Sequence, residues 1–385
     1  MLLTLQDFEH AARRRLPAFL FAFAHSGSEQ QATVRANRAA FEQWALLPRY
    51  LRDVSTIDTQ INLWGHTYAA PFGIAPMGGC ALFAYEADRV LAQAAEQKQL
   101  PFILSAASSV PLEAVMQHAP QSWYQAYLPG DVQIIWPLLN RLEKAGVQVL
   151  VVTIDVPVPS KRVVEQRHGF SVPLRWHPRL IWEALRHPRW LAGTVARTLL
   201  SQGIPRLPNF DGSAEGFPII STPSPAFRQG RQRLDWSHID WIRQHWQGRL
   251  VLKGVLHPQE ARLARQMGVD GVIVSNHGGR QLDGAVAALA ALPAVLEEAK
   301  GMFVGLDGSI RQGTDVIKAL ALGADMVFVG RPMLYAAALG QQPMVERALA
   351  VLQDELNRSL ALLGCPSIAA LGPEFLLLQT AVTGP

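Results

Sequence analysis

The chain has 385 residues, 49% of them hydrophobic and 17% charged, with 30 glycines, 26 prolines and 10 tryptophans; this composition excludes a disordered, collagen-like or coiled-coil protein. Its 35 basic and 31 acidic residues leave a net charge of only +4, so no general nucleic-acid-binding surface is expected. The two cysteines, Cys80 and Cys365, can form no disulfide framework, and neither stands in a C-x-x-C or metal-ligand cluster.

Met1–Arg15 carries Asp7 and Glu9 and no apolar run of the secretory kind, and no apolar stretch further on is long enough to span a bilayer, so a cytoplasmic protein is expected. The first 70 residues read as a helical preface, with apolar residues at three- and four-residue steps over Leu5–Phe23 and Glu29–Trp44. Eight short β-rich runs follow: Pro71–Pro76, Phe102–Ser105, Trp123–Tyr127, Val149–Asp155, Leu250–Gly254, Gly271–Ser275, Phe303–Asp307 and Met326–Gly330. Helical spacing lies between them over Glu86–Gln99, Pro111–His118, Val132–Ala145, Pro258–Met267 and Gly313–Leu322. Alternating β and α implies parallel strands. Eight units, with no G-x-G-x-x-G after the first strand, predict an α/β protein of the (β/α)8 TIM-barrel class rather than an open doubly wound sheet. The spacing breaks only between the fourth and fifth strands, so residues 156–249 read as a loop insertion after strand 4, and 1–385 as one domain.

A barrel's chemistry belongs where strands end and βα loops begin. The sixth strand ends Ser275-Asn276-His277-Gly278-Gly279-Arg280, which can set a proton acceptor and an anion clamp over one ligand. Ser105, Gln125, Tyr127, Thr153, Asp155 and Lys253 add polar groups at the ends of strands two to five, and Arg162 follows the fourth. After strands seven and eight come Asp307-Gly308-Ser309-Ile310-Arg311 and Gly330-Arg331-Pro332, two glycine-bearing loops with an arginine each, which fits the barrel phosphate site. His168, His177, His187 and His257 have no ligand spacing, and no metal site is expected.

With Ser275–Asp283, Asp307–Ala324 and Gly330-Arg331-Pro332 in view, the sequence resembles the FMN-dependent 2-hydroxy-acid dehydrogenase/oxidase family over nearly its whole length, most closely in the pattern of mandelate dehydrogenase and quinone-linked L-lactate dehydrogenase. The resemblance implies an FMN site at Ala75, Pro76, Met77, Ser105, Gln125, Thr153, Lys253 and Ser275, with the phosphate held by Asp307, Gly308, Ser309, Arg311, Gly330 and Arg331. It implies His277 as the base that takes a proton from an (S)-2-hydroxy acid and Asp155 as the partner of its imidazolium. Arg162 and Arg280 would bind the substrate carboxylate and Tyr127 a substrate oxygen. Phe23 stands where the family has a substrate-binding tyrosine, and Gly79 and Ala107 are small enough to leave room for a sizeable C2 substituent. The electron acceptor implied is a membrane quinone. Oxygen is the acceptor in the alternative, an oxidase, but Gly78 stands where oxidases often carry alanine. A flavin-binding membrane-associated protein without turnover is the third reading; the complete set His277, Arg280, Asp155 and Lys253 argues against it.

Residues 170–206 hold six arginines (175, 179, 186, 189, 197, 206) against Glu183 alone, so the whole net charge resides there, interleaved with Trp176, Trp182 and Trp190. Rings with cations, short of a spanning length, suit an anionic membrane surface. The segment resembles the membrane-associating loop of mandelate dehydrogenase. The expected location is therefore peripheral, on the inner face of the cytoplasmic membrane, with a homo-oligomer as the expected assembly.

Overall fold

A computed structural model describes residues 1–171, 178–221 and 230–379. All eight β-rich runs are strands of one parallel sheet: β1 (Phe72–Ile74), β2 (Ile103–Ser105), β3 (Trp123–Ala126), β4 (Val149–Thr153), β5 (Arg249–Val255), β6 (Gly271–Val274), β7 (Phe303–Asp307) and β8 (Met326–Val329). Neighbours pair in chain order from β2 to β8, β8 pairs with β1 at Val329 opposite Ile74, and a bridge from Ile74 to Phe102 closes the ring onto β2. The chain thus folds as a TIM barrel. Around it lie α1 (Ala87–Gln97), α2 (Leu112–His118), α3 (Val132–Lys144), α4 (Trp236–His245), α5 (Pro258–Gln266), α6 (Ala288–Glu298), α7 (Gly313–Ala321) and α8 (Arg331–Leu363), the last broken at Gly340–Gln341. Strands buried on both faces need apolar residues at consecutive positions, which is why the runs carry no alternation. Ile103, Trp123, Val149, Val151, Val251, Ile273, Phe303, Met326 and Phe328 fill the interior.

The preface is helical only in part. Its first predicted helix is two, Leu5–Arg15 and Ala18–His25, because Pro17 cannot donate to the helix ladder. The second begins at Ala32 and ends at Glu42, and Trp44 belongs to a strand, Trp44–Leu46, paired antiparallel with Leu376–Leu378 near the other end of the chain. A hairpin of Ile61–Leu63 and His66–Tyr68 follows. Its Trp64 packs 5.5 Å from Trp123 and 5.3 Å from Phe303, plugging the barrel at its N-terminal end. These strands are three residues long, too short for a period-2 signal to compete with helical spacing.

The insertion is shorter than expected, since α4 is the barrel helix preceding β5. The rest holds the helices Val163–Arg167 and Pro178–Leu185, a helical run over 188–202, and a small antiparallel pair, Arg206–Leu207 with Phe217–Pro218. Asn209 ties it to the barrel: its side chain accepts from Leu112 N (2.9 Å) and donates to Val110 O (2.7 Å). Arg141 of α3 adds bonds to the carbonyls of Pro208 (2.6 Å) and Asp211 (3.0 Å).

Candidate functional site

His277 follows β6 in the left-handed region (φ 58°), a conformation that costs a non-glycine residue about 1–3 kcal/mol and persists only where its surroundings impose it. Here they do. His277 N donates to Ser275 Oγ (3.0 Å), and Asn276 Oδ1 accepts from Gly279 N (3.1 Å). Asn276 is bonded in turn to Asn37 of the preface helix through two reciprocal side-chain bonds of 2.8 and 2.7 Å, and Gly279 O accepts from Ser28 N (2.9 Å). Asp283, on the same loop, accepts from Gln30 N (2.9 Å) and Thr33 N (3.0 Å) at the start of that helix, where a carboxylate is favoured. The preface therefore holds the histidine loop.

His277 Nδ1 lies 3.1 Å from Asp155 Oδ1, and Nε2 lies 3.4 Å from the Tyr127 hydroxyl. Asp155 reaches this place because Gly254 of β5, at φ +107°, has no side chain: a Cβ there would stand 2.6 Å from the Cβ of Asp155. Burial pushes the pKa of His277 below the ordinary imidazole value, aided by Lys253 and opposed by Asp155. Burial pushes the Asp155 carboxyl up, but His277 and Lys253 outweigh it and hold the group below its usual range. A neutral imidazole donating Nδ1–H to an ionised Asp155 presents a basic Nε2. That pair can accept a proton from a bound hydroxyl and carry the resulting charge.

Beside it, buried Lys253 donates to Ser275 Oγ (3.0 Å) and pairs with Asp307 Oδ2 (3.0 Å), and Ser275 Oγ donates to Asp307 Oδ1 (2.6 Å). The Asp307 carboxylate is thus turned toward Lys253 and Ser275. At the ends of β2, β3 and β4, Ser105 Oγ donates to Gln125 Oε1 (2.9 Å), while Gln125 Nε2 and Thr153 Oγ1 are buried without a partner among the described residues. Buried polar atoms of this kind call for a bound polar group. The heteroatom edge of a flavin ring meets that need, and Lys253 supplies a cation.

Past β7 and β8 the backbone turns through left-handed Gly308 (φ 103°) and Ser309 (φ 63°), with Arg311 and Arg331 close by. Arg331 is committed more heavily to the protein than its motif implied. Nε donates to Ala24 O (2.9 Å), and Nη2 to Gly278 O (2.9 Å) and Ser26 O (3.3 Å). Burial, then the charge of Arg311, lowers its pKa to about 10. Arg280 likewise falls to about 9 through burial and then Arg162. Its Nη1 donates to Phe23 O (2.6 Å) and Ser26 O (2.8 Å), and its Nη2 to Glu165 Oε1 (3.0 Å). Arg162 reaches the same oxygen at 3.4 Å. Crowded, desolvated guanidinium groups whose pKa values fall are stabilised by anions, and the cavity they line suits both a phosphate and a carboxylate.

One cavity of about 380 Å³ joins these parts and is lined by Ala75, Pro76, Met77, Tyr127, Arg162, Lys253, His277, Arg280, Asp307, Gly308, Ser309, Arg311, Gly330 and Arg331. Ser105, Gln125, Thr153 and Ser275 are buried beside it at the strand ends. Phe23 also lines it, stacked 4.5 Å from Phe170 and with the Arg280 guanidinium 5.1 Å from its ring centroid. Sequence reasoning missed Glu165, Arg231 and the apolar wall of Phe170, Leu207, Phe210, Phe217 and Ile219. Of these only Glu165 left a signal, three residues after Arg162 in helical register.

Residues 12–378 match the FMN-dependent dehydrogenase family. An L-lactate oxidase of Lysinibacillus sphaericus is 37% identical over 95% of this chain and 90% of its own length. An L-lactate dehydrogenase of Xanthomonas campestris is 36% identical over 96% and 95%. The crystal structure of the monotopic membrane protein (S)-mandelate dehydrogenase superposes with a TM-score of 0.91 at 32% identity, covering 98% of this chain and all of that one.

Proposed function

The chain belongs to the FMN-dependent dehydrogenase family and oxidises 2-hydroxy acids, and from that premise we propose that its substrate is an (S)-2-hydroxy acid with a sizeable apolar C2 substituent and its acceptor a membrane quinone. The observation that carries the reading is the His277–Asp155 pair opening, beside Tyr127 and the Arg162–Arg280 pair, into the same cavity as the two arginine-bearing loops. Bound FMN supplies the two-electron acceptor. Gln125, Thr153 and Lys253 hold its ring, assisted by Ala75, Pro76, Met77, Ser105 and Ser275, and the Gly308–Ser309 turn with Gly330, Arg311 and Arg331 holds its phosphate. Arg280 and Arg162 anchor the substrate carboxylate, Tyr127 donates to its C2 oxygen, and His277 Nε2 takes the hydroxyl proton while Asp155 stabilises the imidazolium.

The substrate class is supported by the wall. Phe23, Phe170, Leu207, Phe210, Phe217 and Ile219 line the cavity together with the small residues Gly79 and Ala107, and an apolar substituent gains by leaving water there. Lactate's methyl group would leave most of that surface unfilled. The deciding experiment measures kcat/KM for lactate, mandelate and a long-chain 2-hydroxy acid, each with oxygen and with a soluble quinone. Mandelate or the long-chain acid with quinone is expected to lead; preference for lactate, or for oxygen, would overturn the respective half of the proposal.

The membrane partner rests on the surface of the insertion. Among the described residues no helix is long and apolar enough to cross a bilayer. Over Pro178–Gln202 one face packs inward: Leu180, Ala184, Trp190, Thr194 and Thr198 are buried. Trp190 is 3% exposed and donates from Nε1 to Leu82 O (2.8 Å), so it is a packing residue and not an interfacial ring. The outward face presents Trp182 (62% exposed), Ile181, Leu185, Leu199 and Leu200 (89%) with Arg179, Arg186 and Arg189. Arg175, Trp176 and His177 lie outside the described residues. Such a face suits the interfacial zone of an anionic bilayer, and the inner leaflet of the cytoplasmic membrane supplies the charge. Replacing Arg179, Arg186 and Arg189 together by Gln is expected to weaken binding to anionic vesicles about a hundredfold, at about 1 kcal/mol per charge, with FMN content unchanged. Sedimentation with phosphatidylglycerol vesicles checks it, and undiminished binding would refute the membrane assignment.

A further inference from the structure

The chain returns from the insertion to α4 through a short turn, Arg231–Arg233, that lies against the loop following β3. Gly130 of that loop donates its N–H to Gly230 O (2.8 Å). A Cβ on Gly130 would stand 2.4 Å from the carbonyl carbon of Arg233 and 2.6 Å from its Cβ, so a bare glycine is what lets the two segments meet. The contact delivers the Arg231 guanidinium to 4.4 Å from the centroid of the Tyr127 ring, on the wall of the cavity. Tyr127 is the residue whose hydroxyl stands 3.4 Å from His277 Nε2.

A guanidinium on the face of a phenol restrains the ring and draws its π-density toward the cation and away from the oxygen, which makes the O–H more acidic and a stronger hydrogen-bond donor. The electrostatics agree: burial pushes the Tyr127 hydroxyl pKa up, while Lys253 and Arg231 pull it back. We propose that Arg231 is a positioning residue for Tyr127, holding the ring against the cavity wall and strengthening its hydroxyl as the donor to the C2 oxygen of the substrate. This rests on the reading of the cavity as a 2-hydroxy-acid site. It assigns a part of the insertion to the chemistry as well as to the wall.

Two ligands of equal charge separate this role from a direct grip on the carboxylate. Benzoylformate carries an oxygen at C2, and phenylacetate does not. Their dissociation constants, read from the visible spectrum of the FMN-loaded enzyme, are compared in wild type, Arg231→Gln, Arg231→Lys, Tyr127→Phe and the Arg231→Gln/Tyr127→Phe double variant. Arg231→Gln is expected to weaken benzoylformate by about two- to thirtyfold, the range of a cation–π contact, and to leave phenylacetate unchanged. Arg231→Lys should recover most of the loss, and in the Tyr127→Phe background Arg231→Gln should cost nothing further. Equal weakening of both ligands, or the same loss with and without the Tyr127 hydroxyl, would overturn the inference while the hydroxy-acid reading stands. Wild type that binds neither ligand and oxidises no hydroxy acid would overturn that reading and the inference with it.

Discussion

His277→Ala is expected to retain FMN and to lose about 10²- to 10⁴-fold in kcat/KM for any 2-hydroxy acid, the usual contribution of a general base. Nε2 faces the cavity beside Tyr127, Nδ1 is held by Asp155, and no other histidine among the described residues lines the cavity. The side chain is not among the atoms that cradle a phosphate, so cofactor content should not change. The pH dependence has a definite sign. Burial lowers the pKa of His277, so the neutral form persists to more acid pH than for an exposed histidine. The acid limb of kcat/KM, which reports the free enzyme, should therefore lie below the ordinary imidazole value. Asp155→Asn removes a group that raises this pKa and should move the limb further toward acid, at reduced rate. Folding is linked in the same direction: with the folded pKa depressed, the contribution of neutral His277 to stability is present above the unfolded pKa and is lost as pH falls through the folded one. Near wild-type turnover in His277→Ala would show that the base lies elsewhere.

Lys253→Met should destabilise the fold and abolish activity together. Lys253 is 3% exposed and Asp307 6%, so removing the ammonium leaves a buried carboxylate with, among the described residues, only the Ser275 side chain to satisfy it. Breaking a buried ion pair from one side costs about 3–5 kcal/mol. Asp307→Asn in the Lys253→Met background removes the orphaned charge and should recover most of the thermal stability. Activity should not return, because the cation proposed to lie beside the flavin ring is still missing. Lys253 also lowers the pKa of His277, so any residual turnover of Lys253→Met should have its acid limb shifted to higher pH. Thermal denaturation with a pH–rate profile reads all three; a single variant as stable as wild type would sink the ion-pair account.

Legibility in the sequence tracks how local each signal is. The eight strands could be read because a strand buried on both faces must be apolar along its length, and the alternating helices must be amphipathic whatever their neighbours. The site motifs could be read because βα loops at one end of a barrel converge by construction: His277, Lys253, Arg311 and Arg331 line one cavity, with Asp155 bonded to His277 behind it, although they are spread from the fourth strand to the eighth. The family resemblance named their chemistry in advance.

The remaining features depend on contacts between segments that no local pattern encodes. Asn37 matters because it meets Asn276, 239 residues away. Glu165 matters because it lies between Arg162 and Arg280. Trp190 looked interfacial by residue type and is buried because Leu82 offers it a carbonyl. Trp64, on a hairpin too short to show a period, closes the barrel from below. By itself the sequence determined the barrel and the polar residues at its strand ends, since each follows from a local period or a motif at a topologically forced place, while the cofactor was implied by the family resemblance. The tertiary structure alone decided the apolar wall, the sharing of Glu165 and the placing of Arg231 over Tyr127, because these arise from the packing of the preface and the insertion onto the barrel, where the partner of each side chain is set by the path of the chain through space.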